Sequence, residues 1–451
     1  MLKEYDIERE TLLPIPASAS KYGSRQLVAF WCVLYGLILL RDFFSVQIPV
    51  QLITVLLILF AVSSKKETIV KYAVSLIPVA QAVQFSTIIG AMALIILFKN
   101  RKVQLTRVSI IFLLLMLMEL LHSVIPPFSL SAYITFACTY VFMFVIFSDK
   151  ERYKVLNADT VMAFIISVII ANVIVVALTL KSNSLNFASI IQNNWRLGNT
   201  FADDEIIGYR LSNNPNSIGF HMIIAISSSI AMYIGKFINT KNFIVLMCTS
   251  FFIGLLSISR TFFVALIGML IMLCFCIQRE YMKKLLKTLL WIALIVIVIY
   301  SIAPEAINNM ISRFQDSAST VTMGSRTIIT QQYLEAFAND PLKIIFGVGM
   351  QDLQAKTGVM MNPHNSIVDV YVAWGVVGVI ITVILFIELI MDMKKYKRMY
   401  IYTLPILCMI LYSMSGRIFK SAHVMMLFVV VASAINMNNE CMKFMKGETH
   451  E

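Results

Sequence analysis

The chain has 451 residues, of which 59% are apolar and only 14% are charged, and its mean hydropathy is +0.81. Soluble domains average about 25% charged residues, so this composition excludes a soluble protein of this length. The net charge of +12 raises the question of nucleic acid, but the basic residues lie in short clusters between apolar runs. We therefore expect no nucleic-acid partner and read the charge as a topology signal.

Apolar runs recur along the chain, and about 20 residues suffice for a helix to cross the hydrocarbon core. The sequence predicts an all-α polytopic membrane protein with about 12–14 transmembrane helices and two long outer-face loops. The predicted spans are 27–40, 43–62, 69–82, 84–98, 107–125, 130–148, 160–179, 216–235, 242–258, 261–278, 288–302, 366–391, 400–414 and 421–436.

The stretch Thr68–Phe98 is short for two spans and long for one, and both of its flanks are basic. We favour two short or re-entrant segments that turn near Gln84. A single tilted helix is the alternative, and it would reverse the sidedness of everything downstream.

Most of the 37 basic residues fall in alternate gaps between the spans. By the positive-inside rule those gaps are cytoplasmic, so we expect a multi-pass protein of the cytoplasmic membrane with both termini inside. The predicted organisation is a cytoplasmic tail (1–26), an N-terminal bundle (27–180), an outer loop (181–216), central helices (217–302), a long outer loop (303–365), C-terminal helices (366–436) and a cytoplasmic tail (437–451).

The first long loop carries Arg196 and Arg210 and ends in Asn213-Asn214-Pro215-Asn216, a sequence typical of a helix start. The free N–H groups of such a start favour phosphate, whereas the simpler interpretation is an ordinary helix cap.

In the second long loop, the sequence GSRTIITQQYLEAFANDP predicts an amphipathic helix that contains Arg326. On it, Ile328, Tyr333 and Phe337 can share a face, and Asp340-Pro341 is expected to end it. A glycine-rich turn follows, and the loop closes on Asn362-Pro363-His364-Asn365. Gly375 and Gly378 in the next span predict small-residue packing.

Histidine is the commonest general base, and the position of His364 at a membrane re-entry makes a catalytic role as plausible as a structural one. Arg260 and Arg417 lie at short turns between apolar spans. Charge at such depth usually marks a polar cavity or a partner, and headgroup contact by a snorkelling side chain is the alternative. Glu119, Asp369 and Glu388 are acidic counterparts of these arginines within or beside the spans.

Three patterns together resemble the superfamily of O-antigen ligases and Wzy-type O-antigen or capsular polysaccharide polymerases. One is Arg210 followed by the Asn-Pro-Asn turn and Gly219, and another is the pair Ser259-Arg260 between two spans. The third is the long loop with Arg326, Gly347-Val-Gly349 and the terminal His364-Asn365. In the family, an arginine and the Asn-Pro-Asn turn form one compact motif. In this chain the motif is split, because Arg196 is separated from the turn by an acidic insert, whereas Arg210 adjoins the turn. We favour Arg210 as the diphosphate contact.

The resemblance implies a glycosyltransferase that uses undecaprenyl-diphosphate-linked glycans as donor and acceptor at the outer membrane face, with no cofactor and no metal. It implies catalytic roles for His364, Arg210, Arg260 and Arg326, and substrate contacts from Arg196, Asn216, Asn365 and Arg417. Membrane lipids are further partners, together with a chain-length regulator or a flippase. We favour a polymerase over a ligase. A glycolipid transporter or flippase is the rival class, although transporters usually contain related halves and no internal repeat is evident in this sequence.

Overall fold

The computed structural model describes residues 25–99, 103–122, 129–182, 197, 209–212, 214–276, 321–351, 353–361, 363, 365–391, 399–414 and 416–445, with scattered helical residues between 283 and 312. Within these ranges the chain is helical, and the β-type pairing is one isolated antiparallel bridge between Val103 and Asp149. The prediction of an all-α polytopic membrane protein is confirmed.

The helices follow one another along the chain with short connections between most of them. In order they are α1 (Arg25–Ile38, continued by a π-helical turn Leu39–Phe43), α2 (Val50–Ser63), α3 (Lys66–Ser75), α4 (Phe85–Lys99), α5 (Arg107–His122), α6 (Leu130–Phe147), α7 (Arg152–Val155), α8 (Ala158–Ser182), α9 (Pro215–Ile234), α10 (Thr240–Leu256), α11 (Arg260–Cys276), α12 (Val321–Phe337), α13 (Pro341–Phe346), α14 (Leu353–Thr357), α15 (Ser366–Met391), α16 (Leu404–Ser413), α17 (Ala422–Met425) and α18 (Leu427–Met445).

Five helical segments of the described chain are long and apolar enough to cross a membrane. They are Arg25–Phe43, Leu130–Phe147, Arg152–Ser182, Pro215–Ile234 and Ser366–Met391. Shorter apolar helices, α2, α4, α10 and α11 among them, pack around these, and the predicted span 288–302 falls largely outside the described residues. Helix α9 is almost entirely buried and lies at the centre of the bundle.

The stretch around Gln84 forms two helices rather than one. Helix α3 is followed by a 3₁₀ turn at Ile77–Ala82, the chain is extended at Val83, and α4 begins at Phe85. The prediction of two segments that turn near Gln84 is therefore confirmed.

Contacts at one end of the bundle join connections that the sequence assigns to the cytoplasm. Lys66 pairs with Asp149 at 2.9 Å, and Lys71 pairs with Asp159 at 2.8 Å. We call this end the basic face. At the opposite end, the Arg41 guanidinium donates to the Ala82 carbonyl at 2.8 Å, so two connections that the sequence assigns to the other side also meet. The alternation of gaps in the sequence is thus reproduced in space.

The second long loop differs from its prediction in two details. The buried face of α12 is formed by Ile329, Tyr333 and Phe337, spaced four residues apart, whereas Ile328 is 56% exposed, so its assignment to that face was wrong. Helix α12 already ends at Phe337, and Asp340 instead caps α13, where its carboxylate accepts the N–H groups of the first turn. These hydrogen bonds, chiefly the one from the backbone of Lys343, lower the pKa of Asp340.

The absolute orientation is a prediction that accessibility can test. In a background without cysteines, Met360→Cys should react with a membrane-impermeant thiol reagent in intact cells, because Met360 is 88% exposed in the second long loop. Lys241→Cys, exposed near the start of α10 at the basic face, should react only after permeabilisation. The reverse pattern would overturn the predicted orientation.

Candidate active site at the face opposite the basic face

The Asn-Pro-Asn turn begins α9. Asn214 is the N-cap residue, and its side chain accepts the backbone N–H of Asn216 at 2.9 Å, while Pro215 occupies the first helical position. Both features are typical of a helix start. The predicted start is therefore confirmed.

The same turn packs directly against the Ser259-Arg260 pair. The Ser259 hydroxyl donates to the Asn216 side-chain oxygen at 3.2 Å. A Cβ atom on Gly219 would lie only 2.7 Å from the Ser259 Cβ, so glycine allows the close approach of α9 to the α10–α11 turn. Arg260 is the first residue of α11, and its side chain is exposed beside this contact.

Arg210 lies four residues before the helix start and is exposed. The next residue, Leu211, is buried, and its N–H donates to the Asp42 carboxylate at 2.8 Å. The segment is therefore fixed through its backbone while the arginine side chain stays accessible. Arg196 lies outside the described residues.

Helix α15 is interrupted at Gly375, whose φ is +64°. The segment after α13 lies along this break: the N–H of Val348 donates to the Val372 carbonyl at 3.1 Å, and that of Gly349 to the Ala373 carbonyl at 2.7 Å. A Cβ on Gly375 would overlap the Ile345 carbonyl, so this glycine serves a helix break and a backbone contact. The predicted small-residue packing is present at Gly375, but as a backbone contact at a break in the helix, which the sequence did not predict.

His364 lies outside the described residues, but both of its flanks are fixed. The Tyr333 hydroxyl donates to the Met361 carbonyl at 2.8 Å, and burial raises the pKa of Tyr333, which keeps the donor protonated. On the other side, Asn365 accepts the N–H groups of Ile367 and Val368 at 2.9 and 3.4 Å and so caps α15.

Arg417 forms a paired contact with Asp369 in the first turn of α15. Its Nε and Nη2 donate to one carboxylate oxygen at 2.9 and 2.6 Å, and the side chains are 13% and 1% exposed. The Ser366 hydroxyl donates to the Gly416 carbonyl at 2.6 Å, so the turn around Arg417 is held against the start of α15. Of the two alternatives for Arg417, the structure supports a partnered charge.

Tyr412 joins the two halves of the site. Its ring stacks on Phe220 of α9 with centroids 3.7 Å apart, and its carbonyl accepts the N–H of Gly416 at 3.0 Å. The Asn-Pro-Asn turn and the Arg417 turn therefore share one face of the bundle, which we call the site face. It comprises the ends of α9, α10, α11, α15 and α16 near Asn214, Ser259, Ser366 and Gly416.

The structure thus brings Asn216 together with the start of α11 at Arg260, and Asn365 together with Arg417. The backbone of Arg326 lies in α12, and its side chain is outside the described ones. Two acidic residues that accept hydrogen bonds from the backbone of the long loops were given no functional role in the sequence interpretation. Asp42 was not singled out, and Glu119 was noted only as an acidic residue in a span, the one signal that could have identified it.

Residues 244–383 match the family model described as O-antigen ligase. This confirms the resemblance to the O-antigen ligase and Wzy-type superfamily. The matched region contains Arg260, Arg326, His364 and Asn365, whereas Arg210, Asn216 and Arg417 lie outside it. The family supports a lipid-linked glycan-processing enzyme. The chain has no match among curated proteins.

The Arg417–Asp369 pair makes a prediction about stability. Arg417→Ala removes the guanidinium that pairs with the buried Asp369 carboxylate, and breaking such a pair costs about 3–5 kcal/mol. We expect a lower melting temperature in detergent and lower abundance in membranes. Arg107→Ala is the matched control, because its pair with Glu388 is 79% exposed on the arginine side and should contribute less than about 1 kcal/mol. Equal losses in the two variants would contradict the burial argument.

Proposed function

We propose that the protein is a glycosyltransferase that polymerises undecaprenyl-diphosphate-linked oligosaccharide repeat units at the outer face of the cytoplasmic membrane. The observation that carries the proposal is the hydrogen bond between Asn216 and Ser259. It joins the Asn-Pro-Asn turn, which lies outside the O-antigen ligase family region, to the Ser259-Arg260 pair, which lies inside it. Two motifs that are 43 residues apart in the sequence are therefore adjacent in the fold.

The donor chemistry needs positive charge where the leaving group departs. In the proposed reaction, an acceptor sugar hydroxyl attacks the anomeric carbon of the donor, and the bond from that carbon to the diphosphate oxygen breaks. Arg210, Arg260 and Arg326 are assigned to the diphosphate, whose developing charge paired N–H donors can stabilise. The exposure of Arg210 and Arg260 supports this role, because neither guanidinium needs to leave a buried position to meet a ligand.

The acceptor hydroxyl must lose its proton as the new bond forms. We assign this proton to His364, since an imidazole with an ordinary pKa near 6.5 is a competent base at neutral pH. The neighbouring residues support the assignment, since the Met361 carbonyl accepts the Tyr333 hydroxyl and Asn365 caps α15. Asn365 and Arg417 are proposed to contact the glycan beside it, with Arg417 oriented by Asp369.

A ligase is the second candidate, and the description of the matched family favours it directly. It would use the same donor and the same residues, and would differ only in passing the glycan to another acceptor. A glycolipid flippase needs no general base and no leaving-group contact, so the assignments above have no purpose in it.

The role of His364 can be tested by substitution. His364→Ala should lower the rate of glycan transfer by about 10²–10⁴, because a positioned general base contributes that much. The rate is measured as consumption of lipid-linked glycan by membranes, normalised to folded protein. His450→Ala, in the predicted C-terminal tail, is the control and should retain full activity. An active His364→Ala enzyme would remove the base from the proposal.

The accumulating intermediate separates the candidate functions. A deletion strain should retain single repeat units and lose high-molecular-weight glycan on both the lipid carrier and the cell surface, as measured by glycan electrophoresis of lipid-linked and surface fractions. Long chains stranded on polyprenyl diphosphate would instead identify a ligase. Normal long glycan in the deletion strain would contradict both transferase assignments.

A further inference from the structure

Two buried carboxylates of the N-terminal bundle hold the main chain of the two long loops. We propose that Asp42 and Glu119 are positioning residues of the transferase, Asp42 for Arg210 and Glu119 for the loop that carries His364. This inference rests on the proposed function. Both residues lie outside the family region, and the described contacts of both with the two long loops are to backbone N–H groups.

Asp42 lies in the π-helical turn that ends α1, and its side chain is 2% exposed. Asp42 Oδ1 accepts the Nε–H of Arg41 at 2.6 Å. Asp42 Oδ2 accepts an Nη2–H of Arg41 at 2.9 Å and the backbone N–H of Leu211 at 2.8 Å. Arg41 is itself fixed by its bond to the Ala82 carbonyl. The carboxylate that anchors the residue after Arg210 is therefore held by a rigid pair.

Glu119 lies near the end of α5 and is 2% exposed. Its carboxylate accepts the N–H of Met350 at 3.0 and 2.8 Å, that of Gln351 at 3.1 Å, and the indole N–H of Trp374 at 2.9 Å. One buried charge thus fixes the turn after Gly349 and the residue before the break in α15. Hydrogen bonds from N–H groups to an ionised acceptor are about twice as strong as neutral ones.

Further hydrogen bonds hold the part of the loop that lies between the Glu119 contact and Met361. The Lys356 ammonium donates to the Val348 carbonyl at 3.0 Å, and the Gln354 amide donates to the Met360 carbonyl at 2.6 Å. Met361 is then held by Tyr333. These bonds fix the described backbone between the turn that Glu119 contacts and Met361.

The choice of backbone rather than side chain matters for the function. A carboxylate paired with the Arg210 guanidinium would neutralise the charge proposed to meet the diphosphate. Bonding the N–H of Leu211 instead fixes the position of the segment and leaves that charge available. The arrangement is what a positioning residue requires, since a displacement of about 1 Å can cost about 10²-fold in rate.

Double-mutant cycles test the inference, because residues that act through one another show non-additive effects. Asp42→Asn and Arg210→Ala are made singly and together, as are Glu119→Gln and His364→Ala, and transfer rates are normalised to monodisperse folded protein. We expect Asp42→Asn and Glu119→Gln each to lower the rate by about 10²-fold. Asp42→Asn should cause no further loss when Arg210→Ala is already present, and Glu119→Gln none when His364→Ala is already present. Asp42→Glu, which keeps the charge, replaces Asp42→Asn if that variant does not accumulate.

The matched control is Asp149→Asn, which removes an equally buried carboxylate at the basic face and should leave the rate per folded protein unchanged. Suppose that Arg210→Ala and His364→Ala are impaired. The inference is then overturned if the rate losses of the single variants multiply in the double variants, or if Asp42→Asn and Glu119→Gln are fully active. Full activity in Arg210→Ala and His364→Ala would instead overturn the proposed roles of those residues, and the inference with them.

Discussion

The break of α15 at Gly375 is the constraint on which the second long loop depends. Ending a helix inside a packed bundle frees carbonyl groups that need hydrogen-bond donors, because an unpaired buried polar group is costly. The N–H groups of Val348 and Gly349 satisfy the Val372 and Ala373 carbonyls. The docked loop therefore supplies donors that the broken helix lacks, and the loop packs as part of the bundle.

The same dependence extends to the N-terminal half of the chain. Residues 244–383 carry the family match, yet the loop within them is held by Glu119, and the Arg210 segment by Asp42. The N-terminal bundle thus supplies two buried carboxylates that accept hydrogen bonds from the backbone of the long loops.

Features with a local signal were largely predicted correctly from the sequence. The helix start at Asn214, the two segments around Gln84 and the presence of helix α12 each follow from residues within a few turns, whereas the buried face and the end of α12 differ from the prediction. The interruption at Gly375 could not be read, since a glycine in an apolar run also suits helix packing. The contacts of Asp42 and Glu119 span 169 and 231 residues and leave no local pattern. The roles of all the proposed site residues, His364, Arg326 and Arg196 included, stay predictions.

The arginines at the site face differ in what burial requires of them. Arg417 is mostly buried, and its pair with Asp369 holds the start of α15 against the turn that contains Arg417. Arg210 and Arg260 are exposed at segments fixed through Leu211 and Ser259. Burying an unpaired arginine would be costly, whereas an exposed one keeps its charge until a ligand arrives. The fold therefore pairs its buried arginine with an acidic side chain and leaves Arg210 and Arg260 exposed, as the proposed contact with a diphosphate requires.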